Sequence, residues 1–459
     1  MHIPRLLTLL IAVVALAVIV FVGMQVVQPA RPLIASAAFE HTRITPNADG
    51  EGDVTTLRYT LTRNAAVTLT FADSAGHEFI FREAQPRIAG DYRVQFSGVV
   101  RGYTLPGEEV QSQVEARLLP NGEYTWTLSA IGEDGVTEQT TGSLVIAEAN
   151  PVLPDLTALT ISPATFSPNQ DGVADRVMLY TYLTAEANLT MYLEGADGAR
   201  IYIAEYNMGV LAGAAGPHWF DYDGGIDAGL EPPEDGDYTV VLRAEDAEGQ
   251  RVSRTGMLSL RNGGTPIGAI YPQPTGTTVF YGSMPYEDRY YTDAETAGAL
   301  IPMPQGVQAE ISSLSIVQGD LLVFRLIVVN DGTVGMRTTG PYPGTVYQQE
   351  QRASSLGWYD ESGAWRVGLD CDTATSDYPW RWAVGTPDDL EIAEEDGTTY
   401  RYLPPGAQAV VWGAVRLTDI VPSRNPQYCW VGLIHEDVEV RDARIDARQI
   451  EIMPGPETE

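Results

Sequence analysis

Two short segments carry side-chain oxygens at spacings that could hold a cation. Asn47-x-Asp49-Gly50-x-x-Asp53 and Asn169-x-Asp171-Gly172-x-x-Asp175 place Asn and Asp at alternating positions around a glycine. Ca2+ takes about six to eight such oxygens, and similar spacing opens the calcium loops of EF-hands. Neither segment has the distal bidentate Glu of an EF-hand, and the flanks of both read as strands. The same residues suit an Asx turn, in which Asn and Asp side chains accept hydrogen bonds from backbone N–H groups, and this reading is favoured because it needs no further ligands. Ca2+ held by Asn47, Asp49, Asp53, Asn169, Asp171 and Asp175, and a metal-free turn, are the two readings of these loops.

Other chemistries fail on composition. All 28 basic residues are Arg. Without Lys there is no Schiff base, no Ser-Lys dyad and no phosphate-loop lysine. His435-Glu436-Asp437-Val438-Glu439 lacks the second His of a zinc-protease helix, and no G-x-S-x-G elbow occurs. The five His, at 2, 41, 77, 218 and 435, have no metal-like spacing. The acidic clusters Glu231 to Asp237 and Asp388 to Asp396 could contain a glycosidase pair, but they are better explained as solvated turns. No catalytic residue is assigned, and the chain is not expected to be an enzyme.

The N-terminus bears on compartment. Leu6 to Val27 is uncharged over 22 residues; as a helix it would rise ~33 Å, enough to cross a hydrocarbon layer. Arg5 precedes it on a short stub, which places residues 1–5 in the cytoplasm and the bulk of the chain outside. The alternative is a signal peptide cleaved near Ala35-Ser36-Ala37, although the apolar run is longer than a typical signal core. Both readings put the bulk of the chain in an oxidising compartment. A disulfide between Cys371 and Cys429 is then expected there, against the alternative of two isolated buried thiols. The net charge of −33 argues against nucleic acid and anionic lipid headgroups as partners.

The elements that must position these residues come from an internal repeat. Residues 45–76 match 167–198 without a gap, at an offset of 122. Pro46, Asn47, Asp49, Gly50 and Asp53 fall on Pro168, Asn169, Asp171, Gly172 and Asp175. A second block, 121–146, matches 235–260 at an offset of 114, with Gly122 and Tyr124 falling on Gly236 and Tyr238. The change in offset implies a variable region between the blocks, and the shared block order implies tandem domains. Leu57, Tyr59 and Leu61, then Val67, Leu69 and Phe71, alternate with polar residues as half-buried strands do. Short strands between Gly, Asn and Pro turns point to an all-β antiparallel sandwich in each repeat.

The S/T-P-N-x-D-G-x-x-D opening, the alternating strands and the late D/N-G-x-Y-T strand resemble the Ig-like domain of flagellar hook-capping proteins (FlgD-type). The resemblance covers residues 39–149 and 156–262 and implies tandem Ig-like sandwiches. In the first copy the family's W-D-G turn is only Phe96-Ser97-Gly98. Nothing resembles the remainder of a hook-capping protein, so no flagellar role follows.

Residues 263–305, rich in Gly, Pro and Tyr, read as a connector after a short linker pattern at 150–155. Its Tyr271, Tyr281, Tyr286, Tyr290 and Tyr291 could stack on sugars, but packing against a neighbouring domain is favoured. A third β domain is expected over 306–454, with residues 28–38 a linker and 455–459 a tail. Its Gly319-Asp320-strand-Asn330-Asp331-Gly332 pattern and Leu403-Pro404-Pro405-Gly406 turn resemble the bacterial cell-adhesion-related domain (CARDB), also an Ig-like sandwich. The long insertion from Gly340 to Thr399 holds Trp358, Trp365, Trp380 and Trp382, expected as a loop-covered mini-core or a binding face. The expectation is a membrane-anchored stalk of tandem Ig-like sandwiches behind one transmembrane helix, acting in structure or adhesion with a cell-surface protein or glycan as partner. The alternative is a glycan- or envelope-binding accessory protein using the third domain or connector.

Overall fold

The computed structural model describes residues 5–26, 32–206, 209, 211–273, 277–284, 287–301, 313–395 and 397–455. Tyr286, among the sequence candidates, lies outside them. Among the described residues strands account for 51% and helix for 6%, an all-β structure. Among the described residues the one α-helix, Arg5–Val26, is the N-terminal apolar run. Its side chains are described over residues 10–20. Among the described residues no helix is long and apolar enough to cross a membrane.

The first repeat folds as two facing sheets. Strands Ile34–Phe39, Thr55–Leu61 and Gly90–Phe96 form one. The other runs in the order Arg43–Ile44, Thr137–Ile146, Gly122–Gly132, Ala65–Ala72 and Glu78–Arg87. The alternating residues anticipated in the sequence supply the core: Leu57, Tyr59 and Leu61 meet Val67, Leu69 and Phe71 around Phe96 and Trp126. The second repeat has the same arrangement. Leu156–Ser162, Val177–Leu183, Gly216–Tyr222 and Glu205–Tyr206 form one sheet, and Arg200–Ile203, Asn188–Glu194, Gly236–Glu245 and Arg251–Leu260 the other. Tandem β-sandwiches follow directly.

The repeats differ where the offset changes. In the first, the extra residues form a hairpin, Val99–Arg101 with Gln113–Leu118. This hairpin keeps Val100 and Leu118 in the core of its own sandwich while it extends the sheet of the second. Ala116, Val114 and Gln113 pair with Arg251, Val252 and Ser253. The second repeat has a short 3-10 turn, Ile226–Ala228, at the corresponding place.

The third domain begins earlier than the sequence indicated. Gly268–Tyr271 and Phe280–Met284, assigned above to a connector, both pair antiparallel with Leu321–Asn330. That sheet continues through Gln408–Arg416 to Val346–Gln348. The opposing sheet runs Ser313–Val317, Glu439–Met453, Gln427–His435, Trp365–Cys371 and Trp380–Ala383. A connector reading followed from the Gly and Pro content; the apolar Ile270 and Tyr281 instead pack on the main core. The Trp-rich insertion likewise supplies core strands, with Trp365, Trp380 and Trp382 buried in the domain's principal cluster.

Candidate functional site: the second N-x-D-G loop and its socket

The two matching loops share an internal design. In the first, the Asp53 carboxylate accepts hydrogen bonds from the backbone N–H groups of Asn47, Ala48 and Gly50 at 3.0, 3.0 and 2.8 Å. Asn47 Oδ1 accepts from Asp49 N–H at 3.1 Å, and Asp49 Oδ1 from Glu51 N–H at 2.8 Å. In the second, Asp175 accepts from Asn169, Asp171 and Gly172 at 3.2, 3.2 and 2.6 Å. Asn169 Oδ1 accepts from Asp171 at 3.0 Å, and Asp171 Oδ1 from Val173 at 2.8 Å. The oxygens that a cation would need thus satisfy backbone donors, which is Asx-turn geometry. Among the described residues no group of three or more His, Cys, Asp or Glu could hold a metal ion.

The loops differ in their surroundings. Asp49 and Gly50 are exposed, whereas Asn169 and Asp171 are 4% and 3% exposed. The second loop is seated in a socket on the third domain. Arg337 donates from Nε to the Asp171 carbonyl and from Nη2 to the Ser362 carbonyl, and pairs with Glu361 at 3.0 Å. Tyr402 OH donates to Asp171 Oδ2 at 2.9 Å. His435 Nε2 donates to the Gln170 carbonyl at 2.7 Å, its ring stacked on Trp365 at 4.3 Å.

Two glycines set how closely the domains approach. A Cβ on Gly172 would lie 2.0 Å from the Ser362 carbonyl oxygen, and one on Gly363 would lie 2.2 Å from the Asp171 carbonyl carbon. Both also have positive φ, +81° and +77°, where a side chain is strained. Gly50, the counterpart of Gly172, has φ +87° but nothing within 4 Å of its Cβ position.

Burial sets the electrostatics. Desolvation, with Asp175 adding repulsion, raises the pKa of Asp171 to about 6. Desolvation also raises Asp175 and lowers His435. Behind the socket, Glu436 is paired with Arg381 at 2.7 Å and Arg366 at 3.3 Å; burial raises its pKa and lowers that of Arg366. The His435-Glu436 pair noted in the sequence therefore lies in a domain junction, with His435 facing a backbone carbonyl.

A second junction joins the first two domains. The Asp155 carboxylate accepts from the Gln111 and Ser112 N–H groups at 3.0 Å each, and Ser112 Oγ accepts from Leu156 N–H at 2.9 Å. Gln250, fully buried, accepts from Leu118 N–H and donates to the Val152 carbonyl and to Asp246. The segment 150–155 is thus packed by both neighbours.

Of the other sequence candidates, Cys371 and Cys429 face each other on paired strands and are disulfide-bonded, S–S 2.01 Å. Tyr291 is buried, Tyr281 and Tyr290 are partly buried, and Tyr271 is 43% exposed with its hydroxyl on Asp331. Trp358 is half-buried. Arg337, Tyr402, Ser362 and Gly363 were not anticipated. Their partners lie up to 231 residues away, and nothing in the repeat match separates a seated loop from an exposed one.

No known family's sequence profile matches the chain, and no curated protein matches it. Solved structures similar to parts of it include a tetra-tandem repeat from the extending region of a large adhesion protein. That match is 12% identical, covers 87% of this chain and 81% of that one, and has a TM-score of 0.17. Another is a Ca2+-stabilized adhesin with which an Antarctic bacterium binds ice, 13% identical, covering 92% and 73%, TM-score 0.20. A purple acid phosphatase from yellow lupin seeds is 9% identical, covers 53% and 42%, and has a TM-score of 0.16. At these scores none superposes on the chain as a whole, and no functional conclusion is taken from them.

Proposed function

We propose that the protein is an extracytoplasmic scaffold: Ig-like sandwiches, the first two FlgD-type and the third CARDB-like, joined into a stiff stalk and anchored by the N-terminal apolar helix. The observation that carries this reading is that both successive domain pairs share built contacts. One domain lends a hairpin to the next sheet, and the second domain's loop is gripped by the third. Flexible tethering would need neither a buried Gln250 nor a glycine pair at the closest approach. Spacing and surface presentation are then the useful properties, with an adhesive role towards a cell-surface partner and no catalytic one. The disulfide fits an oxidising compartment. The N-x-D-G loops serve as turns without calcium. Surface labelling of intact cells with a membrane-impermeant carboxylate reagent tests the placement. Labelling of the sandwich domains supports it, and protection until lysis refutes it.

A further inference from the structure

The outer faces of the two repeats carry different chemistry at equivalent positions. On the second domain, Val177–Leu183 directs Met178, Tyr180 and Tyr182 outward, opposite Asp221, Trp219 and Pro217 of the neighbouring strand. Tyr206 continues the row beyond Trp219. Tyr180, Trp219 and Tyr206 therefore lie side by side across three adjacent strands, spanning ~10 Å, with Tyr182 two residues further along. The Tyr180 and Trp219 ring centroids are 5.6 Å apart. Tyr182 and Tyr206 are 43% and 49% exposed, and Tyr180 and Trp219 are partly exposed.

The first repeat has Thr56, Arg58 and Thr60 on the matching strand, opposite Gln95, Arg93 and Asp91. Its sandwich is complete with a polar face there, so the aromatic row is not a requirement of the fold. Solvent-exposed rings grouped on one flat face mark an interaction surface.

The chemistry of the row selects its occupant. It consists of rings with hydroxyl or N–H edges rather than aliphatic side chains, and Thr160 flanks it opposite Tyr180. Such rings present flat apolar faces with polar rims. A sugar ring has the complementary form, with C–H groups on its flat face and hydroxyls at its edge. A second copy of this chain would bring two bodies of charge −33 together. An uncharged polymer carries no such penalty.

We propose that Tyr180, Trp219, Tyr206 and Tyr182 form a binding platform for a neutral polysaccharide, stacking consecutive flat sugar rings along the outer face of the second domain. It goes beyond the scaffold reading and does not depend on the junctions, so its failure leaves that reading in place.

The test is calorimetric titration of the full chain, in a detergent without a sugar headgroup, with cellohexaose and separately with chitohexaose. Binding to at least one is expected. It should weaken at least tenfold in Trp219→Arg and Tyr180→Arg, which copy the polarity of the first repeat and so preserve the fold. Tyr202→Ala, an exposed ring on the opposite sheet, should bind as the unaltered chain does. No binding to either sugar, equal binding by all variants, or a self-association that Trp219→Arg abolishes would each overturn the proposal.

Discussion

Asp49 and Asp171 occupy equivalent turns, yet only Asp171 is withdrawn from water, and its ionisation should register in stability. Folding raises its pKa from 3.8 to about 6. The folded chain therefore binds this proton more tightly than the unfolded chain. Stability from Asp171 is gained as pH falls from about 6 towards 3.8. Above that window its charge costs ~3 kcal/mol at about 1.4 kcal/mol per unit. Asp175 and Glu436, also raised, act in the same direction; His435, lowered, acts oppositely below its usual pKa. Comparing Asp171→Asn with the unaltered chain isolates the one group. The variant should gain stability relative to wild type at pH 7 and lose that advantage near pH 4, by denaturant titration. A difference independent of pH would contradict this. The two glycines make a matched pair. Gly50→Ala and Gly172→Ala both add positive-φ strain of about 1–2 kcal/mol. Only Gly172→Ala also forces the domains apart, so its loss should be greater by about 1–3 kcal/mol. Equal losses would mean that the loop is not tightly seated. Because Asp53 and Asp175 already serve backbone donors, melting should be the same in millimolar Ca2+ and in chelator.

Hairpins and sheets were legible to different degrees. Strict alternation from Leu57 to Phe71 marked both strands and core face, because one side of each strand meets water. Gly268–Tyr271 and Phe280–Met284 were hidden, since short strands set among Gly and Pro carry too few residues for a period to show. The hairpin Val99–Leu118 was visible only as a change of offset. Its partner strand belongs to another domain, and no local pattern encodes that pairing. Gln250 is the nearest thing to a signal. The first repeat has Val136 at that position, exposed, where no hairpin docks. Gln250→Val should leave Leu118 N–H and Asp246 short of partners, at about 1–3 kcal/mol. Hydrogen exchange should accelerate in 99–118 while the strands Thr55–Leu61 and Ala65–Ala72 of the first domain stay protected. Unchanged exchange would show that the hairpin is held without Gln250. In the third domain the disulfide closes a separation of 58 residues. By the chain-entropy model, reduction should cost that domain ~4 kcal/mol. The melting of the first two domains should not move.

At the scale of the whole molecule, the junctions decide whether three sandwiches behave as beads or as a rod. Composition argues against nucleic-acid partners and rules out lysine chemistry, and the repeat showed that there were tandem domains. The contact between the second and third domains was not legible, because the socket residues Arg337, Tyr402 and Gly363 are scattered through a domain with no repeat of its own. The most direct measurement is the distance distribution between spin labels on cysteines introduced at exposed Arg93 and Ser423, in the first and third domains, read by pulsed electron resonance on the full chain. Both native cysteines are bonded to each other and leave the labels unambiguous. One narrow distance is expected, broadening when Gly172→Ala and Gln250→Val are combined. A broad distribution in the unaltered chain would contradict a stiff stalk.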